Sequence, residues 1–170
     1  MFFEYEKLNP NQIAEMAYQA EVEEFNESGG MMDQYSTSVG NLIYLESEPE
    51  IKVKRINREL GAFVLGDSLE QKDTIGILSR CKDSRLSIMS EMKKFDPDVN
   101  FQTISSDQLD QFELDDEKRH LMIGTIKNRD LLFQAKVELK KPNLDQNVFG
   151  RLLHDHHKVL SECLKVSTPK

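Results

Sequence analysis

The segment Ser28-Gly29-Gly30-Met31-Met32-Asp33-Gln34-Tyr35 concentrates residue types that can do chemistry. Two consecutive glycines allow a ligand close to the backbone and a sharp turn into a helix. The N–H groups at a helix start lack intrahelical partners and favour anionic or hydroxyl-rich ligands. An aspartate in that first turn is stabilised as the charged form by those donors and by the helix dipole. Asp33 therefore reads as a hydrogen-bonding or proton-accepting carboxylate at a pocket wall. The same residues also suit a plain Gly-Gly loop followed by an ordinary first-turn acid.

Other reactive types carry less. In His154-Asp155-His156-His157, His154 and His157 stand at i and i+3, one geometry that binds zinc. His156 falls on the apolar face of a strongly periodic helix, where a packed histidine is the plainer expectation. Cys81 and Cys163 are too few for a disulfide framework or a cysteine zinc site, and both lie in apolar helical patterns. They read as buried free thiols of a reducing compartment. The acidic clusters Glu21-Glu23-Glu24 and 110–117 read as solvated helix faces and caps.

The elements that must position Asp33 follow from the pattern. Asn9-Pro10 predicts a helix start, the helix carrying Ile13, Ala17, Ala20 and Glu21 and ending at residues 26–30. A helical turn is expected to begin near Met31. Leu42-Ile43-Tyr44-Leu45 predicts a strand, Pro49 a turn, and the alternating Ile51-Lys52-Val53-Lys54 a half-exposed strand. The glycine-bounded run Gly61-Ala62-Phe63-Val64-Leu65-Gly66 predicts a central strand. Then come helices: one with Leu78, Cys81, Met89, Met92 and Phe95 on one face, closed at Asp96-Pro97-Asp98, and a short segment over 106–112. A long helix capped by Asp115 or Asp116 stops before Pro142, and an amphipathic helix carries Phe149, Leu152, Leu153, His156, Leu160 and Cys163. Strands followed by packed helices give an α+β class with a short antiparallel sheet.

Composition narrows the partners. The chain has 170 residues, 30 acidic against 22 basic side chains and a net charge of -8. That balance speaks against nucleic acid and against an anionic membrane face as the main partner. No apolar run approaches the roughly 20 residues of a membrane span, and Met1–Glu6 lacks a signal peptide's basic start, so a cytoplasmic location is expected.

The Gly29-Gly30-Met31-Met32-Asp33-Gln34 stretch resembles the galactokinase branch of the GHMP small-molecule kinases, whose Cys-Gly-Ile-Met-Asp-Gln segment carries the catalytic aspartate. Ala20-Glu21 matches that branch's upstream Ala-Glu pair at the same separation. Val64-Leu65-Gly66-Asp67-Ser68 resembles a strand ending in an Asn-Ser pair, and Arg119-His120 an Arg-His pair early in a long helix. Phe149-Gly150-Arg151-Leu152, His156-His157 and Val166-Ser167 follow in the family's order. The resemblance implies an ATP- and Mg²⁺-dependent kinase acting on a sugar hydroxyl, with Asp33 as catalytic base or orienting carboxylate and Gly30 and Asp67 at the substrate. It further implies residues 1–48 as the end of the N-terminal domain and 49–170 as most of a ferredoxin-like C-terminal domain.

The family's Gly-Arg-x-Asn-x-x-Gly-Glu-His sugar motif, its Gly-Leu-Ser-Ser-Ser phosphate loop and its C-terminal Gly-rich loop do not occur here. The chain therefore reads as an internal piece of a longer kinase, inactive and without tightly bound cofactor by itself. The alternative is a non-catalytic sugar-sensing or protein-interaction module on the same fold. The segment 69–75 lacks the branch's sugar-contacting tyrosine, which leaves the sugar open. Apolar surface left uncovered in such a piece would favour a homodimer.

Overall fold

A computed structural model describes residues 7–25, 29–67, 69 and 74–168; the side chains of Thr74, Ile75 and Leu78 lie outside it. The architecture is α+β, with five α-helices and a two-stranded antiparallel sheet among the described residues. The chain divides into two compact units, 1–61 and 62–170.

In the first unit, α1 (Pro10–Tyr18) starts as its residues dictate. The Asn9 side chain accepts the Gln12 N–H at 3.0 Å, the Gln12 side chain accepts the Asn9 N–H at 2.9 Å, and Pro10 takes the first helical position. The helix widens into a π-turn over Gln19–Glu23. The expected end at 26–30 falls partly on residues 26–28, outside the described set. After α2 (Met32–Val39), Gly40 (φ 72°) and Asn41 (φ 58°) reverse the chain in the left-handed region, which these two residue types tolerate best. Strands β1 (Leu42–Glu46) and β2 (Lys52–Ile56) then pair with Leu42 opposite Ile56 and Glu46 opposite Lys52. Position 48/49 lies in the turn between these strands. Ala14, Val22, Tyr35 and Val39 are buried, and the Arg55 guanidinium donates to the Val39 carbonyl, tying the hairpin to the end of α2.

The second unit holds α3 (Thr74–Lys93), a 3₁₀ turn (Asp107–Gln111), α4 (Asp116–Lys140) and α5 (Gln146–Glu162). Its core joins Ile88 and Met92 of α3, Ile104 and Leu109 of the connecting segment, and Met122 and Ile126 of α4. The connecting segment is held by Arg129, whose guanidinium donates to the Phe101 and Ile104 carbonyls at 3.0 and 2.6 Å. Asp115 caps α4 by accepting the Lys118 N–H at 2.8 Å. Buried Glu138 closes the α4–α5 turn, accepting from Lys141 Nζ and from the Asp145 N–H. Lys141 first, and then that N–H, hold its carboxyl below the usual range.

Three expectations are corrected. The Gly61–Gly66 run is irregular rather than a strand, with Val64 97 % and Leu65 98 % exposed. Apolar composition makes a strand only where a neighbour supplies ladder hydrogen bonds, and no described residue pairs with this run. Phe95 lies beyond the end of α3 and is 83 % exposed, because the chain leaves the helix at Lys93 before the next turn of the apolar stripe is complete. Cys163 is half-buried at the end of α5 rather than buried like Cys81; both are free thiols.

Candidate functional site

α2 begins where the glycines end. Met31 stands at the N-cap without a side-chain cap, and Asp33 is the acidic residue of the first turn, exposed to solvent. The two glycines differ in what they allow. A Cβ on Gly29 would meet Val22 Cγ2 at 3.2 Å, so a side chain there crowds the buried end of the π-turn. A Cβ on Gly30 would meet no described residue within 4 Å, which leaves space beside the start of α2 among the described residues.

The residues after Asp33 anchor its helix. Gln34, 8 % exposed, donates from Nε2 to Glu21 Oε2 at 2.7 Å. Tyr35, 3 % exposed, donates from its hydroxyl to Glu15 Oε2 at 2.8 Å. Burial first, and then the Glu15 carboxylate, push the Tyr35 phenol up to about 12, so it remains a donor at physiological pH. Gln34 Oε1 is buried and has no hydrogen-bond partner among the described residues. Glu21 sits inside the π-turn, a wider coil that inserts a residue and re-aims those after it. Ala20-Glu21 and Asp33-Gln34, thirteen residues apart at the bonded pair, are thereby brought together. The spacing predicted each half; the bond between them had no signature in the sequence.

Asp67 belongs to the second unit, in the irregular run, where its Oδ1 accepts the Leu69 N–H at 2.8 Å. That is a local Asx turn. Ser68 and residues 70–73 lie outside the described set. Arg119 and His120, early in α4 as expected, act as braces: Arg119 pairs with Asp110 of the 3₁₀ turn, and His120 Nε2 lies 3.3 Å from the Glu162 carbonyl. His156 is half-buried on α5, its imidazole pushed down by burial and then by His157. No three histidine, cysteine, aspartate or glutamate side chains converge to hold a metal among the described residues.

An open cleft of about 900 Å³ lies in the second unit, between α3, the start of α4 and the end of α5. Gly30, Asp33 and Asp67 do not line it, whereas Cys81, His120 and Cys163 do. Its polar wall serves the helix end: the Arg80 guanidinium donates to the Leu164 and Lys165 carbonyls at 3.2 Å, and the Cys81 thiol to Leu164 O at 3.3 Å. Cations and donors at a helix C-terminus satisfy its orphan carbonyls and complement its dipole. Lys118 pairs with Glu91 at 3.5 Å across α3 and α4. These contacts lock three helices together and present both signs of charge, a structural junction rather than a site selective for one ligand charge.

No protein-family profile, no curated protein and no solved structure matches the chain.

Proposed function

We propose that the chain is part of a galactokinase-like GHMP sugar kinase and that Asp33 is its catalytic carboxylate. The observation that supports this reading is the Gln34–Glu21 hydrogen bond. It joins the two sequence pairs that carry the resemblance and fixes the helix turn that presents Asp33. In the reaction, Asp33 accepts the proton of the sugar hydroxyl, or orients that hydroxyl, as its oxygen attacks the γ-phosphorus of ATP. The space beside Gly30 admits the sugar. ATP and Mg²⁺ supply the phosphoryl group and its charge neutralisation through loops that these 170 residues do not contain. In this reading the second unit belongs to the kinase's ferredoxin-like domain.

The test is the longest reading frame that contains this sequence. It is expected to encode a Gly-Leu-Ser-Ser-Ser loop upstream and to phosphorylate a sugar with ATP. There, Asp33→Asn lowers kcat by a factor of about 10²–10⁴, the usual worth of general-base help, with ATP affinity kept. Turnover near that of the unaltered enzyme would remove Asp33 from the mechanism. A frame without the loop that binds sugar but transfers no phosphoryl group would replace the reading with a non-catalytic sugar-sensing module.

A further inference from the structure

One face of α4 changes character along its length. Met122 and Ile126 point into the core of the second unit and are 0 % and 3 % exposed. Continued at 100° per residue, the same arc of about 80° carries Asp130, Phe133, Val137 and Lys140. Here the cover ends: Phe133 is 42 % and Val137 63 % exposed, and Lys140 is exposed as well. The four positions are spaced i, i+3, i+7 and i+10, the seam spacing of a helix that packs along another helix.

The order of these residues is self-complementary. With two copies of α4 antiparallel and a two-fold axis level with Ala135, each Phe133 lies opposite the partner's Val137. The same operation sets each Asp130 opposite the partner's Lys140. One axis satisfies both pairings, which is what an isologous contact requires. One oxygen of Asp130, which is ion-paired to Arg129 through the other, and the Lys140 ammonium are available for it. Arg129 donates twice to Asp130, both times to Oδ1, at 2.8 and 2.7 Å, and Asp130 Oδ2 has no hydrogen bond among the described residues. Lys140 makes no ion pair among the described residues. Glu138 and Lys141, which flank it, are engaged with each other in the α4–α5 turn.

We infer that the C-terminal half of α4 is a homodimer interface, its occupant the same helix of a second copy run antiparallel. The apolar pairs supply attraction, and the Asp130–Lys140 pairs set direction and register. About three helical turns make a small interface, so the dimer forms at chain concentrations on the order of 10 µM or more.

Sedimentation equilibrium at about 200 µM chain tests this; at that concentration the interface predicts mostly dimer. Val137→Lys, at an exposed position, is expected to leave the helical circular dichroism unchanged and to give monomer. Asp130→Lys and Lys140→Asp each place two like-charge pairs in the symmetric contact and weaken association about tenfold or more. The double variant Asp130→Lys/Lys140→Asp restores it. A monomer at about 200 µM overturns the inference, as does a dimer indifferent to Val137→Lys. A double variant no tighter than the single ones overturns the antiparallel register and with it the proposal. None of these readouts involves phosphoryl transfer, so the interface stands or falls apart from the kinase reading.

Discussion

Single residues decide the tightest contacts. Gly124, inside α4, faces the end of α5, and a Cβ there would meet Cys163 Cβ at 2.5 Å, with Leu164 Cγ at 3.7 Å. Elsewhere in a helix, Gly→Ala is worth about 1 kcal/mol in favour of alanine. Here overpacking, at about 1–3 kcal/mol, exceeds that gain. Gly124→Ala is therefore expected to lower the urea midpoint, and Cys163→Gly in the same chain to recover part of the loss. His156 makes a second prediction. Its folded-state value is lowered, so the neutral imidazole is the form that packs, and its contribution is present above the ordinary histidine value of 6.5. As pH falls below 6.5 toward the lowered folded value, the unfolded chain takes up the proton first and stability declines. Urea midpoints at about pH 7.5 and about pH 5.5 measure this, and His156→Gln is expected to shrink the difference. An unchanged difference would assign the acid sensitivity to other groups.

At the scale of elements, starts and stops were readable because they depend on neighbouring residues. Asn9, Pro10, Asp115 and the stop before Pro142 act within one turn, through side-chain acceptors and a missing N–H, and each falls where the sequence predicts. Replacing Asp115 with Ala is expected to cost about 1 kcal/mol, read as a lower midpoint with unchanged m-value, because the Lys118 N–H loses its acceptor. The π-turn was not readable: Gln19–Glu23 has ordinary helical composition, and the Gln34 side chain that bonds Glu21 within it comes from α2, thirteen residues on. Nor did amphipathicity report burial. α5 has the cleanest apolar stripe in the chain and no fully buried residue, with Leu153 53 % exposed. Periodicity says which side chains share a face, not whether something covers it.

At the scale of the whole molecule, composition describes the sum and not its parts. The net charge of -8 is concentrated in residues 1–61, whereas α4 carries six lysines and arginines against four acidic residues. Of the candidate site, Asp33 and Gly30 were legible as a local pattern, and the helix that starts there follows it. The anchoring of that helix by Glu21 and Glu15, and the separation of Asp67 into the second unit, were not. By itself the sequence determined the caps at Asn9 and Asp115, the stop before Pro142, the two strand segments of the hairpin and the α+β class, since each depends on side chains a few residues apart and on a period set by backbone geometry. Only the tertiary structure decided that Gly61–Gly66 is not a strand, that Phe95 is exposed and that the α4 stripe passes from core to surface. Each of those outcomes depends on whether a distant segment lies alongside to complete a ladder or exclude water, and periodicity along the chain carries no information about that neighbour.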